Sequence, residues 1–272
     1  MKTKLLLIGV VFGTAVILSS CNKATIAPPD ENAGTMNFDQ TKSEINALVA
    51  KYPPSNHKTP VWLGTALADA GGAWRGGVEG SEFGPWGTGA GAVLGGVFAS
   101  LCYGTATGVR VTSLPPSVVT SKFYDQIGDM HNSILFYLMN SDYSKGNQID
   151  TLVVFNTIKV QLVNDWNALE YDKKSVDDIH VDYSQFVNYC NEGIEFANTR
   201  NVNLLTNDIQ ARFVLGLYVN TVSNLDNKYL VNVFTTAYSA IVQQSAIASP
   251  TKQGILVFLT VYNHSFSYWN NK

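Results

Sequence analysis

The sequence predicts an all-α fold, a bundle of about six helices after residue 115 preceded by a glycine-rich helical hairpin. Three observations predict it. Apolar residues recur every three or four positions in six successive segments, which gives each helix one buried stripe. Helix-start signals stand at several segment boundaries. No run of short alternating strands with hairpin turns occurs anywhere in the chain.

The elements follow in order. Residues 1–20 open with the basic "MKTK" and continue as the apolar run "LLLIGVVFGTAVILSS", the layout of a secretory signal. Residues 21–37 are polar, contain Pro28-Pro29 and read as a flexible tether. Residues 38–272 form a single helical domain. Its first helix covers 38–52 and stops at Pro53-Pro54. The glycine-rich hairpin occupies 62–108, and "VRVTSLPPS" connects it to the bundle, with Pro115 and Pro116 placed to start a helix.

The apolar stripes then fall at 119, 123, 127, 130, 134 and 138; at 155, 158, 162, 166 and 169; and at 183, 186, 190, 194 and 197. Three more fall at 205, 209, 213 and 217; at 230, 233, 237 and 241; and at 255, 258, 262, 266 and 269. Asp182 with Gln185 has the form of a capping box, and Ser249-Pro250 reads as an N-cap followed by N1.

"LSSC" (Leu18 to Cys21) closes the signal, with small residues placed before a cysteine. This segment resembles the lipobox of bacterial lipoproteins. The resemblance implies cleavage before Cys21, a lipid attachment at Cys21 that includes palmitate-type chains, and a cell-envelope protein tied to its membrane through that lipid. Asn22 stands where enteric lipoproteins retained in the inner membrane carry aspartate, so the resemblance implies the outer membrane, with the domain on the periplasmic side or the cell surface.

Without Lys2 and Lys4 the formal net charge moves from -3 to -5. An acidic chain with no basic run excludes nucleic acid as a partner, because phosphate neutralisation supplies most of that affinity. Cys102 and Cys190 would face an oxidising compartment, where a disulfide between them is allowed; two buried thiols are the alternative.

More than half of the 22 glycines lie in residues 71–104. "GTGAGA" (87–92) has the form of a dinucleotide loop, but no apolar strand precedes it, no acidic residue follows until Asp125, and no G-K-S/T occurs. Nucleotide binding is excluded. Spacing says more. Gly72, Gly76, Gly80 and Gly84 recur every fourth residue, as do Gly87, Gly91 and Gly95, and Gly96, Ser100, Gly104 and Gly108. On a helix these series form stripes without side chains, where another backbone can approach closely.

Residues 68–108 therefore resemble glycine-zipper lipoproteins, whose small-residue helices form a membrane-associated hairpin. Residues 83–109 hold no charged side chain, which is long enough for a membrane span. Asp69, Arg75, Glu79 and Glu82 interrupt the first arm, and Trp74 and Trp86 are bulky for such a seam; Trp62, Trp74 and Trp86 fall twelve apart, the spacing of a degenerate repeat, of a belt at a membrane interface or of coincidence.

No H-E-x-x-H, C-x-x-C or G-x-S-x-G occurs, so no metal, cofactor or catalytic residue is assigned. Asp125, Asp129 and His131 form the densest ionisable group, but His131 is roughly 200° around the helix from Asp129. The expectation is solvent-exposed polar residues there, and a loop for "SVDDIHVDYS" (175–184). The function expected is non-enzymatic: a lipid-anchored envelope module that binds a protein partner, self-associates or supports the envelope. The alternatives are a membrane-active protein inserting its glycine hairpin and an envelope hydrolase with an unrecognised site.

Overall fold

A computed structural model describes residues 34–53, 61–107, 123–141, 151–168, 183–225 and 227–270. These form an all-α bundle, and the one β-type pairing among the described residues is an isolated bridge between Met36 and Ser245. The helices are α1 (Phe38–Val49), α2 (Val61–Gly80), α3 (Gly84–Thr107), α4 (Phe123–Asn140), α5 (Thr151–Ala168), α6 (Tyr183–Thr199), α7 (Ile209–Val222), α8 (Lys228–Gln243) and α9 (Ser249–Trp269). Short 3-10 turns occupy Ser81–Phe83 and Val202–Leu204.

Local sequence sets the helix starts. Asn37 caps α1 in a reciprocal box with Gln40. Asp208 accepts from the Ala211 amide and starts α7; Asn227 accepts from the Tyr229 and Leu230 amides and starts α8. At α9 the N-cap is Ala248, without a side-chain bond, so Ser249 lies inside the first turn rather than at the cap. There its hydroxyl accepts from Gln253 Nε2 at 3.3 Å. Asp182, Pro115, Pro116, residues 175–182 and the signal with Cys21 lie outside the described residues.

The end of the expected tether packs against the domain. Met36 N donates to Gln244 O at 2.9 Å, and Ala246 N donates to Met36 O at 2.7 Å. A Cβ at Gly34 would collide with the Ser245 carbonyl.

The α2–α3 hairpin lies at the centre, with α4, α6 and α9 packed around it. On α9 nearly every residue from Lys252 to Trp269 is buried. The buried face of α4 carries Phe123, Ile127, Met130, Ile134 and Leu138, as the stripe read from sequence has it. Two stripes are displaced. On α7 the buried residues are Ala211, Val214, Leu215, Tyr218, Val219 and Val222, while Ile209 is 77% exposed. On α8 they are Val231, Phe234, Tyr238 and Val242, one position on from the expected set, and Leu230 and Val233 point outward. Both helices are apolar on two adjacent faces, so spacing alone admits either, and the aromatic ring that fits the core decides.

Candidate functional site

The glycine series resolve into contacts. Along the hairpin, Gly72 faces Gly95, Gly76 faces Gly91 and Gly80 faces Gly87, one register stepping by four residues. At each of these six a Cβ would come closer than 3.0 Å to the carbonyl oxygen opposite. The backbones of α2 and α3 therefore touch directly, which any side chain would prevent. Gly84 has a different role. It begins α3 at φ +76° with open space around its Cβ position, so it turns the chain rather than packing the seam.

The other faces of the hairpin hold the bundle. On α3 the Cβ position of Gly96 meets the His131 ring, and that of Gly104 meets Trp269. Gly193 of α6 sits 3.1 Å from Ala68 O by its Cβ position. Trp62, Trp74 and Trp86 do not form one belt. Trp62 packs edge-on to Phe266 and Trp86 edge-on to Phe123, while the Trp74 indole donates to Leu205 O at 3.1 Å. Arg75 pairs with Glu192 and donates to Leu204 O, so the charge on the first arm is spent on α6 and the turn after it.

In the middle of α2 lies a buried polar centre that sequence reading passes over. Asp69 is fully buried. Its Oδ2 accepts from the Ser265 hydroxyl and, at 3.0 Å, from Trp269 Nε1, both on α9. Ser100 of α3 lies beside the same carboxyl. Burial pushes Asp69 up to about 7, against the pull of the donors Ser265 and Trp269 and of the Ser100 hydroxyl beside it. The signal in the sequence is a lone carboxylate between Ala68 and Ala70 in an otherwise apolar stretch.

His131 Nε2 approaches Asp69 Oδ2 at 3.9 Å, too far for a hydrogen bond. Burial lowers His131 to about 4, so it is neutral at pH 7 and the two do not form an ion pair. Asn132 Nδ2 donates to the His264 carbonyl at 3.0 Å, which turns Oδ1 toward His131 Nδ1 at 3.1 Å.

The next layer is charged. His264 Nδ1 lies 3.2 Å from Asp129 and Nε2 lies 3.9 Å from Asp125. Burial alone would lower His264, but the two carboxylates overcome it and hold the ring protonated, at about 9. Gly128 makes room for that ring, since its Cβ position falls on the imidazole. The expected solvent-exposed group on α4 is thus corrected. Asp125 and Asp129 are part-buried partners of α9, and His131, on the opposite side of α4, is fully buried. Sequence spacing separates them correctly and cannot supply the α9 partner.

Asp69, His131 and Ser265 are the residue types of a nucleophilic triad, but their arrangement is not one. The serine donates to the aspartate instead of the histidine, and all three are fully buried. Chemically the centre binds helices: the Asp69 carboxyl ties α2 to α9 through Ser265 and Trp269, with Ser100 of α3 and His131 of α4 packed beside it. No group of three or more His, Cys, Asp or Glu side chains among the described residues has the geometry to hold a metal ion. Cys102 lies in α3 and Cys190 in α6, and the side chain of Cys190 is outside the described residues. Among the described residues, no helix is long and apolar enough to cross a membrane. No family model, curated protein or solved structure matches this chain.

Proposed function

We propose that this chain is a lipid-anchored bacterial envelope protein, held at the outer membrane through Cys21, whose helical domain acts by holding a partner or supporting the envelope rather than by catalysis. The observation that carries the reading is the succession of a basic start, an apolar run and "LSSC" over residues 1–21; the described chain begins at Gly34 and is hydrogen-bonded at Met36 to Gln244 and Ala246. The ionisable groups inside that domain support a non-catalytic role: Asp69, His131 and His264 each face a neighbouring helix.

The full chain, expressed in a bacterial host, should fractionate with the outer membrane and carry the added mass of a lipidated Cys21; Cys21→Ala should be released in soluble form. An unmodified Cys21 in a membrane-free protein overturns the anchor. Carbonate-resistant binding of the Cys21→Ala chain to liposomes overturns the packed-domain reading in favour of hairpin insertion.

A further inference from the structure

Several contacts define one end of the bundle. The Thr88 hydroxyl, at the start of α3, donates to Gln253 Oε1, at the start of α9, at 2.8 Å, so the hairpin turn lies beside the first turn of α9. Lys252 Nζ donates to Ser245 O at 2.8 Å, and Gly34 lies against that same carbonyl. Phe38 packs edge-on against Phe213, which puts the start of α1 beside the first turns of α7. Tyr238 OH donates to Val214 O, so α7 runs antiparallel to α8 and its first residue, Ile209, comes level with the end of α8. The hairpin turn, Ile209 and the point where the chain leaves toward Cys21 therefore share one end.

That end carries exposed apolar side chains: Phe83 at 46%, Val78 at 38% and Ile209 at 77%. Tyr229, Leu230 and Val233 on the first turns of α8 and Tyr137 near the end of α4 lie away from it, and Leu152, Val153 and Val160 are exposed along α5. The length of chain outside the structure decides between the ends. Residues 22–33 separate Cys21 from Gly34; a chain of that length can span at most about 40 Å, and a random coil of that length about 20 Å root-mean-square. The 20-residue α2 is about 30 Å long, so the near end lies within the mean span of a coil of that length and the far end lies well beyond it.

We infer that this end is a membrane-facing surface, which lies on the bilayer with Phe83, Val78 and Ile209 in the headgroup region. The inference rests on the anchor proposed above. Glu79 and Glu82 are exposed beside Phe83, so the surface suits zwitterionic headgroups, whose ammonium groups can meet carboxylates, better than an anionic leaflet. The occupant is the bilayer that holds the lipid.

The test is amide hydrogen exchange of the lipidated full chain on phosphatidylethanolamine–phosphatidylcholine vesicles, against the Cys21→Ala chain in solution. Exchange at 78–84 and 207–211 should slow about three-fold or more on vesicles, while 228–233 keeps its solution rate. Phe83→Asn with Ile209→Asn, both at exposed positions, should abolish the slowing while the protein stays vesicle-bound. Unchanged exchange at 78–84 in a protein with lipid on Cys21 overturns the docking surface and leaves the anchor standing. Slowing confined to 228–233 overturns it equally. Absence of lipid on Cys21 removes both.

Discussion

The hairpin and the α7–α8 pair fill one core by opposite means. Between α2 and α3, contact depends on missing atoms: six glycines let two backbones touch. Between α7, α8 and α9, contact depends on large rings. Tyr218 stacks on Phe234 at 5.7 Å and meets Tyr238, Phe258 and Tyr262 edge-on, while its hydroxyl bonds Thr235 at 2.7 Å. The first region should tolerate no added atom and the second no removed one. A glycine-rich helix is poor in isolation, since each interior glycine costs about 1 kcal/mol relative to alanine. The hairpin therefore depends on the helices that enclose it, whereas the aromatic cluster brings its own buried surface.

The comparison can be broken most sharply by reversing the sizes. Phe234→Ala empties a fully buried site and should cost about 3–5 kcal/mol in urea unfolding. Gly76→Ala adds one methyl where the Gly91 carbonyl already sits, and should cost about 3 kcal/mol, read in the same assay. Gly84→Ala is the control within the same series: its Cβ enters open space, so only the positive-φ backbone, at φ +76° and ψ -168°, resists, at about 1–3 kcal/mol and without the seam's collision. Equal losses at Gly76 and Gly84 would remove the distinction between seam and turn.

The polar centre joins the two regions through α9, and pH reads it. Asp69 is raised, so its contribution is complete below about 3.8 and is lost as pH rises through about 7. His131 is lowered, so its contribution is complete above about 6.5 and is lost as pH falls through about 4. Between those limits the two slopes oppose each other, and stability should change little from pH 4 to 6.5. His264 is raised, so its contribution is lost as pH climbs from 6.5 through about 9, and stability should decline there. Asp69→Asn uncovers the His131 slope. The variant should lose on the order of 3 kcal/mol on acidification from pH 6.5 to 4, measured by urea midpoints across that range. A flat variant profile would show that His131 does not titrate against the fold.

The smallest expected effect concerns the α9 start. Ala248 is an exposed N-cap without a side-chain bond, and Ala248→Asp should stabilise by about 1 kcal/mol, seen as a rise in Tm.

Much of the fold is legible because period 3.6 survives in α4, where one face is apolar, and in α9, where nearly the whole helix is buried. It fails by one position on α8 and at Ile209 because two adjacent faces are apolar, and only the tertiary partner chooses between them. The glycine spacing is visible in the sequence; which glycine faces which is not, because register depends on the turn that Gly84 makes. The polar centre is least legible. Asp69 lies some 60 positions from His131 and some 200 from Ser265 and Trp269, and no short motif spans such distances.

The central claim is that the glycine hairpin is an interior element held by its backbone seam. Native-state hydrogen exchange of the Cys21→Ala chain, without signal peptide and in rising urea, tests it most directly. Amides of residues 66–77 and 88–99 should exchange only through global unfolding, with the same urea dependence as α9. A separate opening of the hairpin, at lower free energy and with its own small urea slope, would contradict it.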